Sequence, residues 1–262
     1  MGAVDCERAD NIMVDEKQKT ASSLDELLLL CGTAALWPVW QWHARRLASS
    51  PDETVGLISA ALAIALACRG GVRRSFSSFA PSVLLFALYA VVYPYAPPLA
   101  RAAMGVTALV ALVSRARFGR ALEPGFWLLA LLSLPIMPSL QFYCGFPLRR
   151  LAALAATMLL RLQGIPASTE GAAINWAGGL ISVDAPCSGL KMLWTALVLA
   201  AAISCHSRWG WRGTAATGLM AVTISVAANV WRACALFYIE TNPAAPAWMH
   251  EGVGLVCFAA AA

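Results

Sequence analysis

Long apolar runs alternate along this chain with short clusters of arginine, proline and aromatic residues. A run of about 20 apolar residues crosses a bilayer as a helix, because only a helix satisfies its own backbone polar groups in hydrocarbon. Such runs lie near Leu27–Trp42, Val55–Cys68, Phe79–Tyr95, Ala100–Val113 and Phe126–Gln141. Three more follow in the last third, from Cys187 to Ser204, from Gly213 onward and from His250 to the end. The pattern predicts an all-α integral membrane protein, a polytopic helical bundle of about eight transmembrane helices. Phe146–Gln163 is different: its short apolar core is bracketed by Arg149, Arg150 and Arg161, which predicts an interfacial helix on the outer surface. In Gly164–Pro186, Ile174-Asn175-Trp176 and Leu180-Ile181-Ser182-Val183 flank Gly178-Gly179, which predicts a short extracytoplasmic β-hairpin. The chain therefore divides into a flexible polar tail over 1–24, amino-terminal transmembrane helices over 25–145, the outer helix and hairpin over 146–186, and a last group of transmembrane helices over 187–262.

Composition narrows the class further. Of 262 residues, 60% are hydrophobic and 13% charged, outside the range of soluble domains. The first residues are acidic and polar, unlike a cleavable leader, so the first apolar run is expected to stay in the protein. The net charge of +5 comes from arginines at the ends of apolar runs, a pattern that orients membrane helices and excludes nucleic acid as a partner. Arg69, Arg73 and Arg74, and then Arg115, Arg117 and Arg120, mark cytoplasmic ends, with the amino terminus inside. Arg45 and Arg46, with His43, fall on the wrong side of that scheme. The 8 cysteines are scattered without metal-ligand spacing, so no metal and no cofactor are expected and all but Cys187 are read as packing residues.

Cys187 stands apart because Val183-Asp184-Ala185-Pro186-Cys187-Ser188-Gly189 is where an extended segment turns into an apolar helix. A helix starting at Pro186 or Cys187 would put the thiol in its first turn, where unpaired N–H groups and the helix dipole favour a thiolate. Cys205 to Arg212, rich in arginine and tryptophan, marks the cytoplasmic end of that helix, so Cys187 belongs at the outer face. On the returning helix Arg232 lies about 28 Å beyond Gly213, back at the level of Cys187. Asn229 precedes it by three residues on the same face, and His250 heads the final run after a proline-bearing outer loop. Asp184 is placed either to cap the helix or to orient the histidine, capping being the simpler role.

These residues resemble the exosortase/archaeosortase family of membrane sorting enzymes. Cys187-Ser188-Gly189 is similar to the family's Cys-Ser-Gly motif, Asn229-Val230-Trp231-Arg232 to its Asn-x-x-Arg, and His250 with Gly254 and Phe258 to its His-x-x-x-Gly-x-x-x-Phe. The likeness covers about Leu134 to Phe258, and it departs at Ala247, where family members often have glycine. It implies a multi-pass cell-membrane cysteine peptidase or transpeptidase, with its active site on the extracytoplasmic face. Cys187 is then the nucleophile, His250 the proton-transfer partner and Arg232 the electrostatic stabiliser, with Asp184, Ser188, Gly189 and Asn229 in support. The partners it implies are exported proteins with a carboxy-terminal transmembrane sorting signal of the PEP-CTERM kind, met among membrane lipids. The competing reading from another class is a non-catalytic carrier or assembly subunit for envelope polysaccharide, with Arg232 and Asn229 lining a polar pathway.

Overall fold

The computed structural model describes residues 26–69, 80–183, 188–242, 245–246 and 248–261. The tail expected over 1–24 lies outside them, as do Asp184 and Cys187. The described chain is mostly helical. Helices α1 (Glu26–Ala35) and α2 (Trp37–Ser49) occupy the first run and beyond. Pro38 in the first turn of α2 limits its neighbour and starts a new helix, so Leu27–Trp42 is two helices and not one span. The awkward pair Arg45 and Arg46 sits inside α2, a helix that also carries Gln41 and His43. A 3-10 turn at Pro51–Val55 leads into α3 (Gly56–Arg69), then come α4 (Ala80–Val92) and α5 (Pro98–Val113). These three helices fall on the expected runs within a few residues.

The next segment departs from expectation. In place of one span over Phe126–Gln141 followed by a separate interfacial helix over Phe146–Gln163, the chain forms α6 (Pro124–Leu132) and α7 (Met137–Leu162), bent by 93°. Pro135 and Pro138 explain the break, since neither can donate a backbone bond and each restricts the residue before it. A break in an apolar surrounding leaves carbonyls that need partners. Trp194 donates its indole N–H to Leu132 O at 3.3 Å, and Ser59 donates its hydroxyl to Leu129 O at 2.7 Å. Pro147, by contrast, is accommodated within α7, so the stretch expected to be interfacial is the second half of a 26-residue helix.

The expected hairpin is present as β2 (Ala173–Trp176) and β3 (Gly179–Ser182), and a further strand, β1 (Ala167–Glu170), completes an antiparallel sheet in the order β1-β2-β3. Then follow α8 (Leu190–His206), α9 (Trp211–Glu240) and α10 (Trp248–Ala261). Among the described residues, two helical stretches are long and apolar enough to cross a membrane, Pro98–Phe118 and Trp211–Glu240. The bent pair α6–α7 makes a third if it counts as one span. That is fewer than the eight or so read from hydropathy, because several apolar runs form helices of only 13 to 17 residues.

Among the described residues, the two larger of three buried clusters hold most of the bundle. The larger joins Leu36, Val39, Ala102, Val106, Leu129, Trp194 and Cys205 around α6 and α8. Gly125 brings those two helices together: a Cβ there would lie 2.4 Å from Cys205 N and 2.8 Å from Ala201 O, so no larger residue permits the approach. The smaller cluster packs the sheet and α7 on α9 through Ala153, Ala156, Leu160, Ile174, Val183 and Phe237.

The connectors after α5 and after α8 meet at one end. Beyond α5 the chain continues as a π-helical turn, Ser114–Phe118. Arg208 donates to Phe118 O at 3.2 Å and lies 5.2 Å above the Phe118 ring. These contacts offset the cost of the left-handed backbone at Arg208, φ 54°. Beside them Glu123 is fully buried, takes a hydrogen bond from Arg120 at 3.0 Å on one oxygen, and finds no partner for the other among the described residues.

Two predictions follow from this arrangement. As α8 runs from the sheet to the Arg208 turn over about 26 Å, topology reporters fused at Gly178 and at Gly210 will report opposite compartments. The same compartment for both would show that α8 does not cross. Burial raises the Glu123 carboxyl above its usual range, while the Arg120 and Arg208 charges pull it partly back. The folded state then holds this proton more tightly than the unfolded state, so the contribution to stability is present at acid pH and is lost as pH rises through the raised value. Thermal unfolding in detergent from acid to neutral pH will therefore fall more steeply for wild type than for Glu123→Gln. Parallel curves would exclude titration at Glu123.

Candidate functional site

The segment that carries Cys187 is held at both ends against α9. Before it, Val183 continues the sheet by donating its N–H to Ala172 O at 3.0 Å, and its side chain is buried in the cluster that contains Ala233, Cys234 and Phe237 of α9. The sheet is fixed there by Trp176, whose ring meets Phe237 edge-on at 5.4 Å, and α7 by the Cys234 thiol, which points to Ala156 O at 3.8 Å. Tyr238 adds a hydrogen bond to the Gln163 side chain at the end of α7.

After the segment comes Gly189, left-handed at φ 74°. A Cβ at Gly189 would lie 2.5 Å from Asn229 Cγ and 2.7 Å from Asn229 Oδ1. The glycine is thus required twice, once by its backbone angle and once by the carboxamide beneath it. Ser188 is buried beside it, and its Oγ accepts the Leu190 N–H at 3.4 Å. Helix α8 runs from Leu190 with Gly189 as its N-cap, while Pro186 and Cys187, where a helix start was expected, lie outside the described residues. Asp184 and Cys187 themselves lie outside the described residues, so Asp184 is not assigned as cap or as partner.

On α9, Arg232 follows Asn229 by three residues and precedes Ala233 of the Val183 cluster, so it stands between the two anchors of the Cys187 segment. It is partly buried, and its Nε has no partner among the described residues. The guanidinium lies against α10: a Cβ at Gly254 would meet Arg232 Nη2 at 3.2 Å and Cζ at 3.4 Å. His250 is in α10, one turn before Gly254, while its side chain is outside the described residues. Helix α9 continues for eight residues past Arg232 and is covered there by the sheet, so this arginine is not at a bare helix end.

The three sequence motifs therefore meet in pairs, glycine to asparagine and arginine to glycine. Sequence reading had the members but not the pairs, because close approach of a glycine leaves no signal in composition. It missed Ser225, one turn before Asn229, whose buried hydroxyl looks like any other in an apolar run. Among the described residues no three His, Cys, Asp or Glu side chains gather to hold a metal ion.

One substitution tests the clamp. Gly189→Ala adds a left-handed penalty of about 1–2 kcal/mol and a clash of about 1–3 kcal/mol with Asn229. Gly218→Ala on the same α9 meets nothing within 4 Å and is expected to be neutral. Unfolding of the two variants in detergent checks the difference, and equal stability would overturn the contact.

The family model described as Transmembrane exosortase (Exosortase_EpsH) matches residues 20–262. Neither a curated protein nor a solved structure matches the chain. A model that covers nearly the whole sequence, together with the pairing of its motif residues around α9, leads to one conclusion: the chain belongs to the transmembrane exosortase family.

Proposed function

We propose that this chain is a membrane-embedded cysteine transpeptidase that cuts carboxy-terminal sorting signals of exported proteins. The observation that carries the reading is the position of Arg232 between the two anchors of the Cys187 segment, with α10 and its His250 turn against the guanidinium side. The site faces the extracytoplasmic side of the cell membrane, and the joined connectors at Arg120 and Arg208 face the cytoplasm, where arginine-rich ends belong.

The Cys187 thiolate attacks the carbonyl carbon of the scissile peptide bond, and the electron pair moves to the carbonyl oxygen. Arg232 supplies donors to that developing oxyanion. An unpartnered guanidinium nitrogen in a place of low dielectric suits this role, because it needs no reorganisation as charge appears. On collapse of the tetrahedral intermediate the C–N bond breaks and His250, protonated, gives its proton to the leaving amine. The product is an acyl thioester on Cys187, resolved by an amine, a lipid head group or water. The substrate's apolar carboxy-terminal helix enters from the bilayer, and the PEP-CTERM type of signal offers such a helix.

Cys187→Ala and Cys187→Ser will accumulate normally in the membrane, since loss of one sulfur atom in a packing role costs on the order of 1 kcal/mol or less. Neither will cleave a co-expressed protein bearing a PEP-CTERM-like tail, and only wild type will form a hydroxylamine-sensitive adduct. Continued cleavage by the alanine variant would sink the enzyme and leave the carrier. Arg232→Lys will lose processing nearly as fully as Arg232→Ala, because an ammonium cannot reproduce the directed planar fork. Processing by the lysine variant at close to the wild-type rate would reduce Arg232 to a charge anchor.

A further inference from the structure

Beneath Ser188 and Gly189 a small cavity of about 10 Å³ opens between α7, α8 and α9. The polar side chains of α9 that line it are Ser225 and Asn229, beside Val226 and Val230, and both are almost fully buried, at 2% and 5% exposure. Neither Ser225 Oγ nor Asn229 Oδ1 has a hydrogen-bond partner among the described residues. The lack at Ser225 is informative, because most hydroxyls on these helices bond back to the carbonyl four residues earlier. Thr107 does so to Ala103 O at 2.7 Å, Ser204 to Ala200 O at 2.7 Å, and Thr223, two residues before Ser225, to Leu219 O at 3.0 Å. Thr157 and Thr214 also lack a partner, but they do not line this cavity.

A buried oxygen without a partner loses its full solvation, whereas a water with two to four polar neighbours restores it. The cavity is at the lower limit for one water, roughly 10–15 Å³. Residues four apart on a helix face have Cβ atoms about 5–6 Å apart, a gap that one water bridges. We propose that a single bound water joins Ser225 Oγ to Asn229 Oδ1, with the Ser188 hydroxyl as its third partner. Ser225 is then a positioning residue. Through the water it fixes the Asn229 carboxamide on which Gly189 rests, two residues after Cys187 in sequence.

The positioning role rests on Cys187 being the nucleophile of the reaction proposed above; the water does not. The test uses the full-length protein in detergent and a membrane-impermeant maleimide, with Cys187 modification read by mass spectrometry as a function of pH. Asp184, Lys191, Arg149, Arg150, Arg232 and His250 are unchanged in every variant, so the charges of α7 to α10 and of the loop stay constant. Ser225→Ala will move the midpoint of Cys187 alkylation up by about one pH unit towards that of a free thiol, roughly 8.5, and slow the reaction about tenfold at neutral pH. Ser225→Thr, which keeps the hydroxyl, will stay close to wild type. The double variant Ser225→Ala with Asn229→Ala will shift no further than Asn229→Ala alone. An unshifted midpoint in Ser225→Ala, or equal shifts in the alanine and threonine variants, overturns the positioning role.

Thermal unfolding of wild type, Ser225→Ala, Asn229→Ala and the double alanine variant tests the water separately. Effects of the two single substitutions that fall short of their sum when combined support a shared bridge, and strict additivity overturns it. A wild-type midpoint already at the free-thiol value would count against the nucleophile and its positioning together, while the unfolding cycle would still decide the water.

Discussion

The contact on which the site depends is between a residue with no side chain and a carboxamide. Gly189 sits so close to Asn229 that a single methyl group would overlap it, and this fixes the start of α8 on α9 within a fraction of an ångström. Two residues earlier in sequence is Cys187. At the other end of the same short segment Val183 is locked into the cluster of α7, α9 and the sheet. The residues on either side of that segment are thus both packed on α9, the helix that carries Arg232.

Helix α9 serves as the common post. At 30 residues it is about 45 Å long, more than the roughly 30 Å of a bilayer's hydrocarbon, and it is long and apolar enough to cross one. The small sheet covers the last turns of α9 through Trp176 and Phe237, and α10 covers the Arg232 side through Gly254. A guanidinium is costly to bury in an apolar bundle, and such groups generally face protein or a polar cavity. Here the protein brings a glycine to it, which leaves room for the guanidinium and for whatever it is to hold.

Polar groups elsewhere follow the same economy. At the opposite end, the buried Glu123 is paired with Arg120, while Arg208 is tied to the Phe118 carbonyl and ring, which joins the π-helical turn after α5 to the turn after α8. The break between α6 and α7 is capped by Trp194 and Ser59. At the helix break and at the Arg208 turn, a group left over by a proline or a helix end is met by a partner from a distant segment, while Glu123 is met by its near neighbour Arg120.

The sequence by itself determined the class and the ingredients. Apolar runs, arginine clusters and low charge gave a helical membrane protein, and period-two residues about Gly178-Gly179 gave the β2–β3 hairpin. The ordered motifs Cys187-Ser188-Gly189, Asn229 to Arg232 and His250 to Gly254 gave the family. These features are local, and local physics of transfer and backbone propensity is enough to read them. Tertiary structure decided the rest. Hydropathy averages over a window and so passed over Pro38, Pro135 and Pro138, which lie between or in the first turn of the helices at the α1–α2 and α6–α7 breaks and act by a steric effect at single residues. It could not find β1, a strand of Ala-Ser-Thr-Glu whose pairing with β2 and packing on α7 make it a strand. The start of α8 at Leu190 followed from Gly189 being left-handed over Asn229, a contact across 40 positions of sequence that no window contains. Nor could any window show that Ser225 and Asn229 face one cavity under that glycine, since which wall a buried hydroxyl faces depends on the helices opposite it.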